Sequence, residues 1–331
     1  MPTINQFTRY GAIARALPFT IGKIFFVSES ADSWTSDFLA EFPNDETGVP
    51  RVYTSVAAAY AATVSGRNDV IVLDSNTSHT LTSMLTVSNN RVHFVASDWL
   101  AGVKRTQDQR CRIQLGVTTA ATDVAAVKVT GNGCTFHGIK FINSNTKTES
   151  VQTFLDESSN GLLVEHCSIH ALGSAQLTAT GGSALRLAGD GSTYRNCQIG
   201  ADTVLNTVAN QVVNIATANS SYARRVIFED CYFYTYSSAS THVFVRTQAA
   251  TDVDRYVTFK RCTFNNFAVG GGTALAVGVA SNVTSGYIVL DSSNFYNCTK
   301  ISTAVVGNSN VLMVGTVPTA ATSSIGIAPT A

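Results

Sequence analysis

Five cysteines recur in one local context: an apolar residue, two polar or small residues, Cys, any residue, then Phe or Ile. The segments are GNGCTF at Cys134, VEHCSI at Cys167, YRNCQI at Cys197, FEDCYF at Cys231 and FKRCTF at Cys262, and LDSSNF puts Ser293 in the same slot. The successive steps are 33, 30, 34, 31 and 31 residues. A fixed interval in this range is the mark of a solenoid, in which each unit buries its apolar face by stacking on the next. Any globular fold that uses each residue pattern once is excluded.

Parity shows how each unit bends. In RRVIFEDCYF, Val226 and Phe228 share one face and so do Cys231 and Phe233, yet Phe228 and Cys231 are three apart. In a straight strand those two would lie on opposite sides. A corner at Glu229-Asp230 returns both pairs to the interior, and the same holds for Phe259 with Cys262 and Leu290 with Ser293. Short strands separated by repeated corners, about thirty residues per turn, predict an all-β chain wound as a parallel β-helix. Leucine-rich repeats need a shorter period, and helical repeats need far less Thr, Val and Gly. The ladder Cys134, Cys167, Cys197, Cys231, Cys262, Ser293 reads as buried free thiols serving as small hydrophobes.

The units predict three regions. Residues 1–53 form an irregular N-terminal docking segment in which GKIFFV is a strand and Trp34, Phe38 and Phe42 are aromatic anchors. Residues 54–315 form the solenoid, opened by a cap helix over 54–65. Thr54-Ser55 is its N-cap, and Val56, Ala59, Tyr60 and Val64 share a face. Then DVIVL is a buried strand, and Val92 and Phe94 take the Cys and Phe slots of an early coil. Residues 316–331 are a tail or cap.

The stacked V/F-x-x-C-x-F/I coils resemble the right-handed parallel β-helix class, the pectate-lyase-like superfamily, over roughly residues 66–315. That resemblance supplies the handedness and leaves activity open, because the class includes lyases, hydrolases, esterases and inert virion parts. The opening, GKIFFV through VPRVYTSVAAAYAATVSGRNDVIVLDSNTSHTL, resembles tailed-phage head-associated proteins. The second resemblance implies a virion structural protein, a capsid decoration or cement protein on the capsid exterior. It would be a homo-oligomer, trimer favoured, in contact with the major capsid protein. No enzymatic activity and no cofactor are expected on this reading. The alternative is a tailspike- or fibre-like glycan depolymerase or glycan-binding receptor protein, a glycoside hydrolase or polysaccharide lyase if an enzyme, whose partner is host surface glycan.

Charge balance narrows the partners. Lys plus Arg and Asp plus Glu number 22 each, and no basic run offers a groove to a polyphosphate, so nucleic acid is not expected. No apolar run approaches a membrane span, and the N-terminal stretch lacks the layout of a secretory signal, so synthesis in the host cytoplasm without membrane insertion is expected.

Candidate chemistry lies at three places. Sugar-cleaving members of the class set carboxylates on adjacent coils of one face, and Glu229, Asp230 and Asp291 are the acids that fall just before the Cys slot. The plainer reading is a solvated corner of mixed charge. Cys134/His137 and Cys167/His170 form C-x-x-H pairs, but residues three apart in a strand face opposite ways and no metal is expected. Tyr232 and Tyr234 alternate with inward residues and should point outward near Tyr296, an aromatic strip for a partner or a glycan. The Gly-rich GDGS (189–192) and GGGT (270–273) segments read as turns between coils.

Overall fold

A computed structural model describes residues 22–29, 44, 48, 51–100, 102, 104, 109–116, 124–144, 151–171, 181–217, 221–267, 272–302 and 310–314. Among these, the strands form three parallel sheets of 11, 8 and 7 members that make the sides of a right-handed β-helix. One representative coil runs from Val226–Glu229 in the first sheet to Tyr232–Ser237 in the second and Val243–Thr247 in the third. It re-enters the first sheet at Tyr256–Lys260. Each strand pairs in register with its counterparts in neighbouring coils, as Val226, Ile227, Phe228 and Glu229 do with Val257, Thr258, Phe259 and Lys260. A residue type that suits one coil is therefore repeated directly above and below.

The interior is built from such columns. Phe94, Phe136, Val164, Tyr194, Phe228, Phe259 and Leu290 are in register along the first sheet. Phe228 stacks on Tyr194 at 4.7 Å and on Phe259 at 4.8 Å between ring centroids. Along the second sheet Phe233, Phe264 and Phe295 stack at 4.6 and 4.2 Å. Strand spacing of about 4.8 Å matches the separation at which offset rings attract, so the repeat and the aromatic stack reinforce each other.

The corner inferred from parity is a residue in the left-handed region. Gly138, His166, Asn196, Asp230, Arg261 and Ser292 take φ of 71°, 51°, 52°, 54°, 53° and 50° at equivalent places. The residue after each corner points inward. There Cys231 Sγ donates to Tyr194 O at 3.3 Å, Cys197 to Val164 O at 3.3 Å and Cys262 to Phe228 O at 3.5 Å, each reaching a carbonyl of the preceding coil. Ser293 Oγ makes the same bond to Phe259 O at 2.9 Å. The slot therefore suits a small side chain that can donate a hydrogen bond. All seven cysteines are free and buried.

Register corrects one rung of the ladder. Arg112, Lys140 and Ser168 pair across neighbouring coils, so the slot before them holds Cys111, Ile139 and Cys167. Cys134 instead precedes Thr135–His137 of the first sheet, after a different corner at Gly133, φ 64°. It donates to Asn89 O at 3.2 Å. The sequence context GNGCTF is similar because both corners need a left-handed residue before an inward side chain.

The N-terminal boundary also changes. Ile24–Val27 is buried and lies in the first sheet between Val52–Tyr53 and Asp69–Leu73, so part of the segment assigned to docking belongs to the solenoid. Asp69 ties this end together. It accepts from Arg67 Nε and Nη2 at 2.6 and 2.7 Å, from Val64 N at 2.7 Å and from Lys23 N at 2.8 Å. The cap helix spans Val56–Ala61, and Ser55 Oγ accepts from Ala58 N at 3.2 Å. Val64, expected on its apolar face, lies beyond the helix and is exposed. Trp34, Phe38 and Phe42, and the tail over 316–331, lie outside the described residues. No helix among the described residues is long and apolar enough to cross a membrane.

Candidate functional site

The outer face of the second sheet carries a cavity of about 420 Å³. Successive coils contribute Lys140 from Lys140–Asn143, His170 from Ser168–His170, Gln198 and Asp202 from Gln198–Asn206, and Tyr232 and Tyr234 from Tyr232–Ser237. Phe267, just after Thr263–Asn266, closes the far end. From the coil of Lys140 to that of Phe267 there are four strand steps, roughly 19 Å along the helix axis.

Two columns on this face supply most of the lining. Lys140, Ser168, Gln198, Tyr232 and Thr263 are in register, and two residues further on so are His170, Gly200, Tyr234 and Asn265. Gly200 is the gap in the second column. Its φ is 133° and an added Cβ would collide with the carbonyl oxygen of Tyr234. With no side chain on the intervening coil, Tyr234 Oη lies 3.2 Å from His170 Nδ1 two coils away. The Tyr232 and Tyr234 rings stack at 5.5 Å and 16°, and Asn265 Nδ2 donates to Tyr232 Oη at 2.9 Å. Burial first, then the charge of Asp202 and the neighbouring Tyr232, push the Tyr234 phenol well above the ordinary range.

Asp202 reaches the cavity because its strand bulges. Ala201 pairs with Thr235, but the next partner of this strand is Asn206, opposite Ser237, so residues 202–205 are extruded as a lip. The base of the lip is pinned in the interior. Asn206 Nδ2 contacts Asn210 Oδ1 and lies 2.9 Å from His242 Nδ1, and Ser237 Oγ donates to Asn206 O at 3.2 Å. Burial, reinforced by Arg246, lowers His242 to about 3, so this anchor holds a neutral imidazole.

The predicted aromatic strip is thus partly corrected. Tyr232 is half-buried and lines the cavity, but Tyr234 is only 4% exposed, roofed by its own reach to His170. Tyr296 is in register with Asn265, in the column of Tyr234, yet does not line the cavity.

The carboxylate edge is a ladder of alternating charge. His137, Glu165, Arg195, Glu229, Lys260 and Asp291 are in register along the end of the first sheet. Glu229 meets Arg261 at 2.9 Å, Arg195 at 3.1 Å and Lys260 at 3.2 Å. Hydrogen bonds from Arg261 and then Lys260 hold its carboxyl down to about 2. Asp230 pairs with Arg261 at 2.8 Å, and Asp291 accepts from Ser292 Oγ at 2.9 Å. A carboxylate bound by three cations stays ionised and is unsuited to protonating a leaving group. Glu229, Asp230 and Asp291 do not line the cavity.

The C-x-x-H pairs diverge. Cys167 Sγ donates inward to Phe136 O at 3.5 Å while His170 lines the outer cavity, and His137 stacks on Trp99 at 4.5 Å with Glu165 3.3 Å from its Nδ1. Among the described residues no group of three His, Cys, Asp or Glu converges on a point where a cation could sit.

One further acid lies in the interior. Asp156 is wholly interior, and Ser159, Ser192 and Tyr194 donate to it at 2.5, 2.7 and 3.2 Å. Burial raises its carboxyl to about 6 against those hydroxyls. The GDGS segment has a packing reason at this point, since an added Cβ at Gly189 would strike the Asp156 carboxylate.

The fold finds its counterpart among carbohydrate enzymes. The chain is similar to the pectin methylesterase from Aspergillus niger, in both its deglycosylated and penultimately deglycosylated forms, at TM-score 0.54 and 13% identity over 88% of this chain and 83% of that one. The pectin methylesterase from Erwinia chrysanthemi aligns at TM-score 0.43 and 9% identity over 88% and 93%. No protein-family model matches the sequence, and no curated protein matches it. At this identity the likeness establishes the architecture. It corrects the expectation of a chain without enzymatic activity to this extent: the same architecture carries the pectin methylesterase from Aspergillus niger, so the β-helix gives that expectation no support.

Proposed function

We propose that the protein is a carbohydrate-active β-helix that binds a saccharide along the outer face of its second sheet. The observation that carries this reading is the composition of the cavity. Tyr232, backed by the buried ring of Tyr234, and the terminal Phe267 offer apolar ring faces, while Lys140, His170, Gln198 and Asp202 supply polar groups beside them. Sugars present apolar ring faces and a rim of hydroxyls, and a site that binds them needs both kinds of surface at once. The groove runs with the helix axis, so an extended oligosaccharide would cross several coils. The docking anchors proposed for capsid decoration, Trp34, Phe38 and Phe42, lie outside the described residues. Capsid binding, the trimer and the virion location draw no support from the groove.

A glycan array followed by calorimetry with a bound oligosaccharide tests the reading. Tyr232→Ala and Phe267→Ala should each weaken binding about tenfold, since a tenfold loss is about 1.4 kcal/mol and burying an aromatic side chain's apolar surface is worth roughly 1.5–3 kcal/mol. No binding by the wild-type protein, or binding untouched by both substitutions, would rule it out.

A further inference from the structure

We propose that the C-terminal end of the first sheet is a homodimer interface, in which Val311–Val314 pairs antiparallel with the same strand of a second copy of this chain. Seven large apolar or aromatic side chains are exposed among the described residues. Val64 and Val204 stand apart, but Tyr256, Tyr287, Leu312, Met313 and Val314 lie together on the last three strands of this sheet. A contiguous apolar patch at a protein surface marks an interaction site. Val311–Val314 is the outermost strand of the sheet, so among the described residues one of its edges is unpaired. It carries no charge, proline or bulge, the devices by which natural edges keep other strands away. Met313 continues the interior column of Phe228, Phe259 and Leu290, yet it is 36% exposed, so the column runs out uncovered.

Register identifies the occupant. Ile288 N donates to Asn310 O at 2.8 Å and Ser292 N to Val314 O at 3.0 Å, so residues 310, 312 and 314 turn their backbone groups into the sheet. The N–H and C=O of Val311 and Met313 therefore face the open edge. A two-fold axis at Leu312 sets Val311 of each copy opposite Met313 of the other, and each such pair exchanges both backbone hydrogen bonds. The same axis brings like to like. Val311 and Met313 are on the interior side, in register with Ile288 and Leu290, so each covers the open end of the other copy's core. On the outer side Leu312 meets its own copy, and Val314, 53% exposed, comes opposite Asn310, beside Tyr287. A patch that complements itself under a two-fold axis is what an isologous dimer requires. An unpaired backbone edge selects a polypeptide strand over a sugar or a lipid.

Sedimentation velocity of the full chain, from nanomolar to high micromolar concentration, tests the proposal. The expected result is a concentration-dependent dimer. Leu312→Lys removes an apolar contact and sets two like charges directly opposite each other, so it should raise the dissociation constant about tenfold or more and leave the melting midpoint of the monomer unchanged. Mixing the Leu312→Lys and Leu312→Glu proteins should restore the dimer. Leu312→Cys should form an intermolecular disulfide under mild oxidation, because the facing Cα atoms of a non-hydrogen-bonded pair lie about 4.5 Å apart, within disulfide reach. The seven native thiols are buried and should stay unlinked. A monomer at every concentration would overturn the proposal, and a thiol at position 312 that resists alkylation in that monomer would assign the edge to the chain's own C-terminal segment. A dimer that is indifferent to Leu312→Lys, or whose Leu312→Cys form does not cross-link, would place the contact elsewhere and refute it equally.

Discussion

Tyr234 crosses a whole coil to place its phenolic oxygen 3.2 Å from His170 Nδ1, and it can do so because the coil between them carries Gly200. The contact joins two residues 64 apart in sequence. It turns a flat sheet face into a cavity floor.

Gly200→Ala should therefore damage fold and site together. The added Cβ meets the Tyr234 backbone, and φ of 133° is a conformation that side chains rarely adopt. A loss of about 2 kcal/mol or more is expected, read as a lower denaturation midpoint, with saccharide binding lost alongside. An unchanged midpoint would show that the coil can shift to accommodate the methyl group.

Asp156 gives stability a slope with pH. Its folded pKa of about 6 exceeds the ordinary 3.8 because burial disfavours the charged form. The folded state binds the extra proton between those values, so this contribution is full below about pH 4 and is lost as pH rises toward 6. A difference of roughly two pKa units corresponds to about 3 kcal/mol. Asp156→Asn, neutral throughout, should flatten that part of the profile in urea melts taken from pH 4 to 7, and a slope that persists in the variant would assign it to another group.

The thiol ladder predicts a tolerance rule. Cys231→Ser should change stability by less than about 1 kcal/mol, because a hydroxyl can make the carbonyl bond that Ser293 already makes two coils on. Cys231→Leu should destabilise by about 1–3 kcal/mol through overpacking of a slot sized for one small group. Thermal melts of the two variants decide this.

Charge-ladder substitutions should leave the binding cavity alone. Glu229 is partly exposed and shared among three cations, and Glu229→Gln is expected to cost less than about 1 kcal/mol, as surface ion pairs do. Its low pKa means that its contribution is present above about pH 4.5 and fades as pH falls toward 2. Saccharide binding should match wild type, whereas its loss would move the site to the edge of the first sheet.

The solenoid was legible because its parity and period are local. Val226, Phe228, Cys231 and Phe233 declare the corner without help from any other coil, and the stacked rings follow once the corner repeats. Cys134 was misplaced because two different corners share the same need, a left-handed residue before an inward side chain. Ile24–Val27 was left outside the solenoid because it comes before the repeat and takes its place beside Asp69–Leu73 only in three dimensions. The site was largely illegible for the same reason. His170, Gly200 and Tyr234 are brought into one column only by register, and Asp202 enters the cavity through a bulge that no periodicity announces. Glu229 and Asp230 drew notice as a carboxylate cluster, but their cations come from the coils of Arg195, Lys260 and Arg261.

A structure of the protein soaked with an oligosaccharide that it binds tests the central claim most directly. Saccharide density lying along the second sheet, with a sugar ring over Tyr232 and an edge toward His170, is the result predicted here. Density against the charge ladder of the first sheet, with the cavity left to solvent, would contradict it.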